Sequence, residues 1–282
     1  MKIDEVNIKD YTTYKLKGKM KLFVPKDISE LKEILKKEKC KIIGNGSNLI
    51  IDSSYDKTLV KLKHFDDINI CGNIVDVGSG YSLTKLSRQC ADNGLSGLEF
   101  ACGIPGTVGG AIYMNAGAYG HDIFGVLNSI TVLDEKMKII EIHKKDLNSS
   151  YRNSLLKFKN YICLKAQFKL TKKEPKIIKK EMINIMEERR KKQPLEYPSA
   201  GSVFKNPKGY SAGRLIEESG LKGLSVNDAS ISKKHANFII NKGTASSEDI
   251  IKLISIIKDK IKKDYGIDLE LEQEILKGWI YG

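Results

Sequence analysis

Apolar residues along the chain recur in two periods, and each period predicts its own elements. Behind Asp27-Ile28-Ser29-Glu30, a capping-box sequence, Ile28, Leu31, Ile34 and Leu35 fall on one helical face. Residues 82–93 read as a second helix closed by Gly94, and residues 211–219 as a third ending at Gly220. A long helix spans 247–265, with Ile250, Leu253, Ile254, Ile257 and Ile261 inward and Gly266 as its stop. Short apolar runs predict strands at 41–43, 49–51, 59–62, 74–77, 129–133, 161–170 and 237–241. Residues 269–275 alternate, with Glu270, Glu272 and Glu274 on one face and Leu269, Leu271, Gln273 and Ile275 on the other. Between Thr171 and Pro194 the pattern becomes a basic amphipathic helix with Ile178, Met182, Ile185 and Met186 on one side. Its many lysines read as a solvated face. No internal repeat and no low-complexity segment interrupts this order.

At 282 residues the chain has room for two domains, or one large one, without disulfides or metals as staples. Its net charge of +13 raises nucleic acid as a partner, but only five of the 48 basic residues are arginine. Arginine is the residue suited to bidentate readout of bases and phosphates, so scattered lysine argues against that partner. The five cysteines form no C-x-x-C pair, and the four histidines lie far apart without HExxH spacing, so no metal site is expected. No apolar run approaches the ~20 residues of a membrane helix, and residues 1–5 lack a signal-peptide core. A cytoplasmic chain without membrane or nucleic-acid partners is the expectation, and a monomer.

Glycine narrows the chemistry. Of 24 glycines, 12 fall between Gly72 and Gly125, too dense for ordinary helices or strands. The centre of this stretch is Gly103-Ile104-Pro105-Gly106-Thr107-Val108-Gly109-Gly110-Ala111, followed by Asn115-Ala116-Gly117-Ala118-Tyr119-Gly120. Upstream, Gly44-Asn45-Gly46-Ser47-Asn48-Leu49 fails as a dinucleotide fingerprint because Leu49 replaces the third glycine and both flanks are strand-like. It reads either as a plain hairpin turn or as an anion-binding nest of consecutive N–H groups. Paired with the 103–120 stretch, two phosphate-hugging loops become the favoured reading.

Three further segments carry chemistry or merely decorate the surface. Arg152, in Tyr151-Arg152-Asn153-Ser154, is suited to hold a carboxylate or to make a surface ion pair. Ser202, Lys205 and Asn206 lie in Gly201-Ser202-Val203-Phe204-Lys205-Asn206-Pro207, which is not a G-x-S-x-G elbow and has no histidine placed for a triad. The acids of 269–275 serve either as an exposed face or as a site.

Taken together, Gly44–Leu49, Gly103–Gly120, Tyr151–Ser154, Gly201–Pro207, Ala212–Gly223 and His235–Lys242 occur in the order of the UDP-N-acetylenolpyruvoylglucosamine reductase family, which the chain resembles over nearly its whole length. The resemblance implies an α+β protein: a vanillyl-alcohol-oxidase/p-cresol-methylhydroxylase-type FAD-binding fold of two subdomains (about 1–62 and 63–172), then an α+β substrate-binding domain at 173–282. The short stretch from Arg152 to Ser202 resembles the compact type without a substrate-gating insertion. Carried over residue by residue, Arg152, Ser202 and Glu274 match the catalytic arginine, proton-donating serine and terminal acid, with Glu272 as the alternative acid because Gln273 replaces the family's proline. Gly44, Asn45, Gly46, Ser47 and Asn48 match one flavin-phosphate segment. Gly103, Ile104, Gly106, Thr107, Gly109, Gly110, Ala111 and Asn115 match the other. Tyr151, Lys205 and Asn206 match substrate-binding positions.

What the resemblance implies is non-covalent FAD, NADPH as co-substrate, and a UDP-sugar enolpyruvyl ether reduced for peptidoglycan synthesis. A related FAD oxidase with tethered flavin and a basic nucleic-acid-binding protein are the competing readings. Bound yellow colour and salt-dependent nucleic-acid affinity, respectively, would distinguish them.

Overall fold

The computed structural model describes residues 2–148 and 150–278. The chain divides into two compact units, each assembled from more than one stretch. Unit 1 comprises Met1–Ile3, Leu22–Asn45 and Thr58–Glu188; unit 2 comprises Asp4–Lys21, Gly46–Lys57 and Arg189–Gly282.

Unit 1 begins as a parallel β-α-β arrangement. The strands Lys19–Phe23 and Cys40–Ile43 both pair in parallel with Thr58–Lys61, the first through Leu22 and Phe23. The helix Ile28–Lys37 supplies the crossover that parallel strands require. Asp27 caps it, accepting from the N–H groups of Ser29 and Glu30. Glu30 returns to the N–H of Lys26 rather than that of the cap residue, so only half of the expected box forms. Leu31 and Ile34 bury fully against Phe23, Val60 and Leu62.

The remainder of unit 1 is a five-stranded antiparallel sheet, in spatial order Ile139–His143, Leu127–Leu133, Ile162–Lys169, Ile74–Gly78 and Ile68–Cys71. Alternation puts Ile130, Val132, Ala166 and Phe168 into a core shared with Leu83, Leu86 and Cys90 of the helix Leu83–Asp92. That helix is capped by Ser82 and followed by Gly94 at φ +66°. The basic helix Pro175–Lys192 buries only Ile178 fully, and Met182, Ile185 and Met186 are half-buried.

Unit 2 contains the antiparallel strands Ser225–Val226, Ala229–Ile231 and Ile239–Asn241, with the helix Ser247–Tyr265 against the first two. A complete capping box between Ser246 and Asp249 starts this helix, and left-handed Gly266 ends it. The strand Leu49–Ile51 pairs in parallel with Glu274–Leu276. The loop 44–48 is therefore not a hairpin turn, because its flanking strands never pair with each other. The predicted strand 269–275 shrinks to Glu274–Leu276. Residues 270–273 instead spend backbone groups on the 203–205 segment: Lys205 N–H bonds Glu270 O at 2.9 Å and Glu272 N–H bonds Val203 O at 2.9 Å. No described helix is long and apolar enough to cross a membrane.

Candidate functional site

In unit 1 the glycine loop 103–111 runs beside residues 79–83. Val108 N–H bonds Tyr81 O at 2.9 Å, Gly109 N–H bonds Ser79 O at 2.8 Å, and Leu83 N–H bonds Gly106 O at 3.0 Å. Thr107 caps the short helix Val108–Tyr113, its Oγ1 accepting from Gly110 N–H at 3.2 Å. Gly44 sits against this cap, and a Cβ there would lie 2.7 Å from Thr107 Oγ1. A Cβ on Gly109 would lie 2.9 Å from Ser79 Cβ. Both glycines are thus required by close packing of protein against protein, which draws the ends of the two glycine loops together. Most N–H groups of 104–111 are consumed internally.

The N–H groups of residues 45–47 are not. Among the described residues, no hydrogen bond takes up the N–H groups of Asn45, Gly46 or Ser47, although Gly46 is buried. Gly46 adopts φ +62°, and a Cβ would lie 2.8 Å from Thr12 Cα, so no other residue fits there. Asn45 Oδ1 accepts from Lys61 Nζ at 3.0 Å. Asn48 turns toward the terminal segment: its Nδ2 donates to Glu272 O at 2.9 Å, and its carbonyl accepts from Glu274 N–H at 2.9 Å.

Ser79 completes the picture. Its hydroxyl is buried and has no hydrogen-bond partner among the described residues, a costly state for a polar group unless a ligand relieves it. The residue was not singled out from the sequence. The one available signal was the triplet Gly78-Ser79-Gly80 closing a strand.

Arg152 occupies a left-handed turn at φ +56°, an uncommon conformation for a non-glycine residue. Its Nη2 donates to Gly117 O at 3.0 Å, its guanidinium lies over the Tyr151 ring at 5.1 Å, and Lys157 Nζ holds its carbonyl at 3.1 Å. Buried Asn115 braces the same turn. Its Nδ2 donates to Ser150 O and to Asp122 Oδ2, both at 3.1 Å, and Oδ1 accepts from Phe124 N–H at 3.3 Å. The side chain of Asn115 is therefore committed to shaping the Arg152 turn.

In unit 2, Ser202 is half-buried and no described hydrogen bond engages its hydroxyl. The following residues are clamped from two sides. Val203 N–H bonds Asn237 O at 2.9 Å, while the Asn237 side chain bonds both the N–H and the C=O of Phe204, at 3.0 and 2.8 Å. Lys205 pairs with exposed Glu270, and Asn206 Oδ1 accepts from Ala212 N–H at 3.0 Å, starting the helix Ala212–Glu218. Glu272 and Glu274 are both half-buried. His235 Nδ1 accepts from Asn237 N–H at 3.2 Å, and burial lowers its pKa, so it stands neutral.

Within unit 1, a buried hydroxyl without a partner among the described residues lies beside the 103–111 loop, and glycines stand where side chains would clash, as suits a phosphate-bearing ligand. Among the described residues the N–H groups of 45–47 also have no hydrogen-bond partner, which suits an anion.

Comparisons with known proteins agree. An FAD binding domain family matches residues 21–143, covering both glycine loops and Ser79. The C-terminal domain of UDP-N-acetylenolpyruvoylglucosamine reductase matches residues 193–276, covering Ser202 and both acids; Arg152 lies between the two matches. The UDP-N-acetylenolpyruvoylglucosamine reductase of Clostridium novyi is 42% identical over 97% of this chain and 91% of its own length. That of Caldicellulosiruptor saccharolyticus is 45% identical over 95% and 90%. The crystal structure of the Thermus caldophilus enzyme superposes with a TM-score of 0.87 at 35% identity, covering 98% of this chain and 99% of that one. The chain belongs to the UDP-N-acetylenolpyruvoylglucosamine reductase family and is an FAD-dependent oxidoreductase.

Proposed function

We propose that this enzyme uses NADPH to reduce the enolpyruvyl ether of UDP-N-acetylglucosamine to UDP-N-acetylmuramate, a step toward peptidoglycan precursors. The family assignment supports the reaction, and the chemistry of the individual side chains supports the roles below. The N–H groups of 45–47, the 103–111 loop and the Ser79 hydroxyl are the groups suited to hold FAD, without a covalent tether. When bound, FAD would supply the two-electron redox chemistry that links NADPH to the substrate alkene.

The protein's own task is charge and proton management. Reduction at C3 of the enolpyruvyl group develops negative charge at C2, which spreads into the adjoining carboxylate. Arg152, with its turn braced by Asn115, orients that carboxylate; a guanidinium fork matches it in two-point fashion. Glu274 acts beside Arg152 as the terminal acid. Ser202 donates the proton to C2. A carbanion is basic enough to deprotonate a neutral alcohol, so the serine needs no histidine partner and no lowered pKa. Tyr151, Lys205 and Asn206 serve the substrate, Lys205 exchanging Glu270 for a phosphate oxygen.

One observation carries this reading: the Ser202 hydroxyl has no described partner although the residues that follow it are held on both sides. In stopped-flow experiments, Ser202→Ala is expected to retain NADPH-driven flavin reduction and lose reoxidation by the enolpyruvyl substrate. Survival of both half-reactions would refute the role. Glu274→Gln and Glu272→Gln in the same assay identify the acid, and NADH in place of NADPH tests the nucleotide preference.

A further inference from the structure

Ser202 follows a residue whose geometry is open. Gly201 adopts φ +76°, and a Cβ there would meet nothing within 4 Å, so the left-handed turn itself, not a crowding neighbour, calls for glycine. Neither Gly201 nor Ser202 donates a described backbone hydrogen bond. Asn241 N–H holds Pro198 O at 2.9 Å, and the two carbonyls nearest Ser202 are held by one buried amide. Gln273, 3% exposed, donates through Nε2 to Ala200 O and to Gly201 O, both at 3.1 Å. Its Oε1 accepts from the Tyr14 hydroxyl at 3.1 Å. Tyr14 is itself fully buried, with its backbone carbonyl accepting from Asn241 Nδ2 at 3.0 Å. Burial raises the Tyr14 pKa, so its hydroxyl stays protonated and remains a donor.

We propose that Gln273 is a positioning residue for Ser202: its carboxamide, oriented by Tyr14, fixes the two carbonyls immediately before the serine and thereby sets where the proton-donating oxygen stands. The inference rests on the reading of Ser202 as that donor. In this chain the carboxamide supplies what its neighbours use: two N–H donors on one side and an acceptor on the other. A carboxylate would set negative charge against two carbonyl oxygens. An aliphatic side chain would take the partner from the Tyr14 hydroxyl, Ala200 O and the part-buried Gly201 O.

Downstream, the Asn237 side chain and Glu272 N–H secure residues 203–204. The serine is therefore spanned by two anchors, of which Gln273 supplies the upstream one. Proton transfer to a short-lived carbanion is sensitive to that span, because a misplacement of about 1 Å costs on the order of 100-fold in rate.

The test uses FAD-loaded enzyme, with Gln273→Leu as the main variant and Tyr14→Phe as a milder one that removes a single hydroxyl. Gln273→Leu is expected to slow flavin reoxidation by the enolpyruvyl substrate roughly 10- to 100-fold, while NADPH-driven reduction stays within about twofold. Tyr14→Phe moves the same half-reaction about fivefold. In a Ser202→Ala background, Gln273→Leu adds no further loss, since the group it positions is gone. Independently of turnover, amide hydrogen exchange over residues 200–204 rises in both variants and that of the 225–241 sheet does not.

Equal slowing of both half-reactions, additive losses in the double variant, or unchanged exchange over 200–204 overturns the positioning role. Ser202→Ala reoxidising at the wild-type rate overturns the serine assignment instead, and the positioning role with it. A slow Ser202→Ala beside a normal Gln273→Leu overturns the positioning role alone.

Discussion

The contact between Gly44 and the Thr107 cap can be tested by giving Gly44 a side chain. In Gly44→Ala the new methyl would lie 2.7 Å from Thr107 Oγ1, inside the closest approach real side chains make, while Thr107 Cβ and Cγ2 stand at an ordinary 3.8 Å. The threonine must therefore rotate or retreat, breaking its 3.2 Å bond to Gly110 N–H. Overpacking costs about 1–3 kcal/mol and the lost cap about 1 kcal/mol, against about 0.4–1 kcal/mol recovered from a stiffer unfolded chain. The net expectation is a loss of roughly 1–3 kcal/mol. Thr107→Ala alone should cost about 1 kcal/mol as a missing cap. With Thr107 already alanine, the clashing oxygen is gone, and Gly44→Ala should become neutral or stabilising by up to about 1 kcal/mol. Urea-unfolding midpoints of the four proteins, with and without FAD, give the cycle. Additivity to within about 0.5 kcal/mol would mean that Gly44 does not meet Thr107 as described, and the link between the two glycine loops would fall with it.

Three other outcomes follow from single residues. Ser79→Ala removes a buried hydroxyl that has no protein partner, so the apoprotein should be unchanged or stabilised by about 1 kcal/mol while FAD binding weakens roughly 5- to 10-fold; isothermal titration measures one and thermal melting the other, and unaltered FAD affinity removes Ser79 from the site. His235 has a pKa lowered from 6.5, chiefly by burial, so between its folded value and 6.5 the unfolded chain binds more protons. Stability present above pH 6.5 should therefore decline as pH falls below it, with a flatter melting-temperature profile in His235→Gln; parallel profiles would contradict this. Burial pushes the Cys90 and Cys163 thiols up to about 12 and Cys40 up to about 11, whereas Cys71 is exposed. A thiol reagent at pH 8 should label Cys71 first, and labelling of Cys90 or Cys163 at the same rate would refute the burial assignment.

Local signals were the legible part of the fold. The helix Ser247–Tyr265 could be read to its ends because the serine before it, an acid in its first turn and the terminal glycine are all local in sequence. Partners were not legible. The runs 41–43 and 49–51 are equally apolar, yet one pairs with Thr58–Lys61 and the other with Glu274–Leu276, and three or four apolar residues encode no choice between them. The alternation over 269–275 tracked burial at Leu269 and Gln273 but not strand pairing, because the 203–205 segment takes the backbone groups of 270–272. In the candidate site, glycine density drew attention to 44–48 and 103–111. The cause of Gly44 and Gly109 is nevertheless a protein neighbour, which composition alone cannot separate from a ligand. Ser79 stayed invisible because an unpaired hydroxyl is a property of surroundings, not of residue type.

The parallel pairing of Leu49–Ile51 with Glu274–Leu276 also bears on how the enzyme is made. At about 5–20 residues per second, the first strand waits roughly 10–45 s on the ribosome before its partner is synthesised. During that interval its hydrogen-bonding edge has no ladder to join, and such edges are where nascent chains aggregate. A chaperone that shields residues 46–57 until translation is nearly finished would raise the yield of active enzyme. Premature termination before residue 274 should leave Leu49–Ile51 without its partner strand, and without the acid proposed above to serve catalysis.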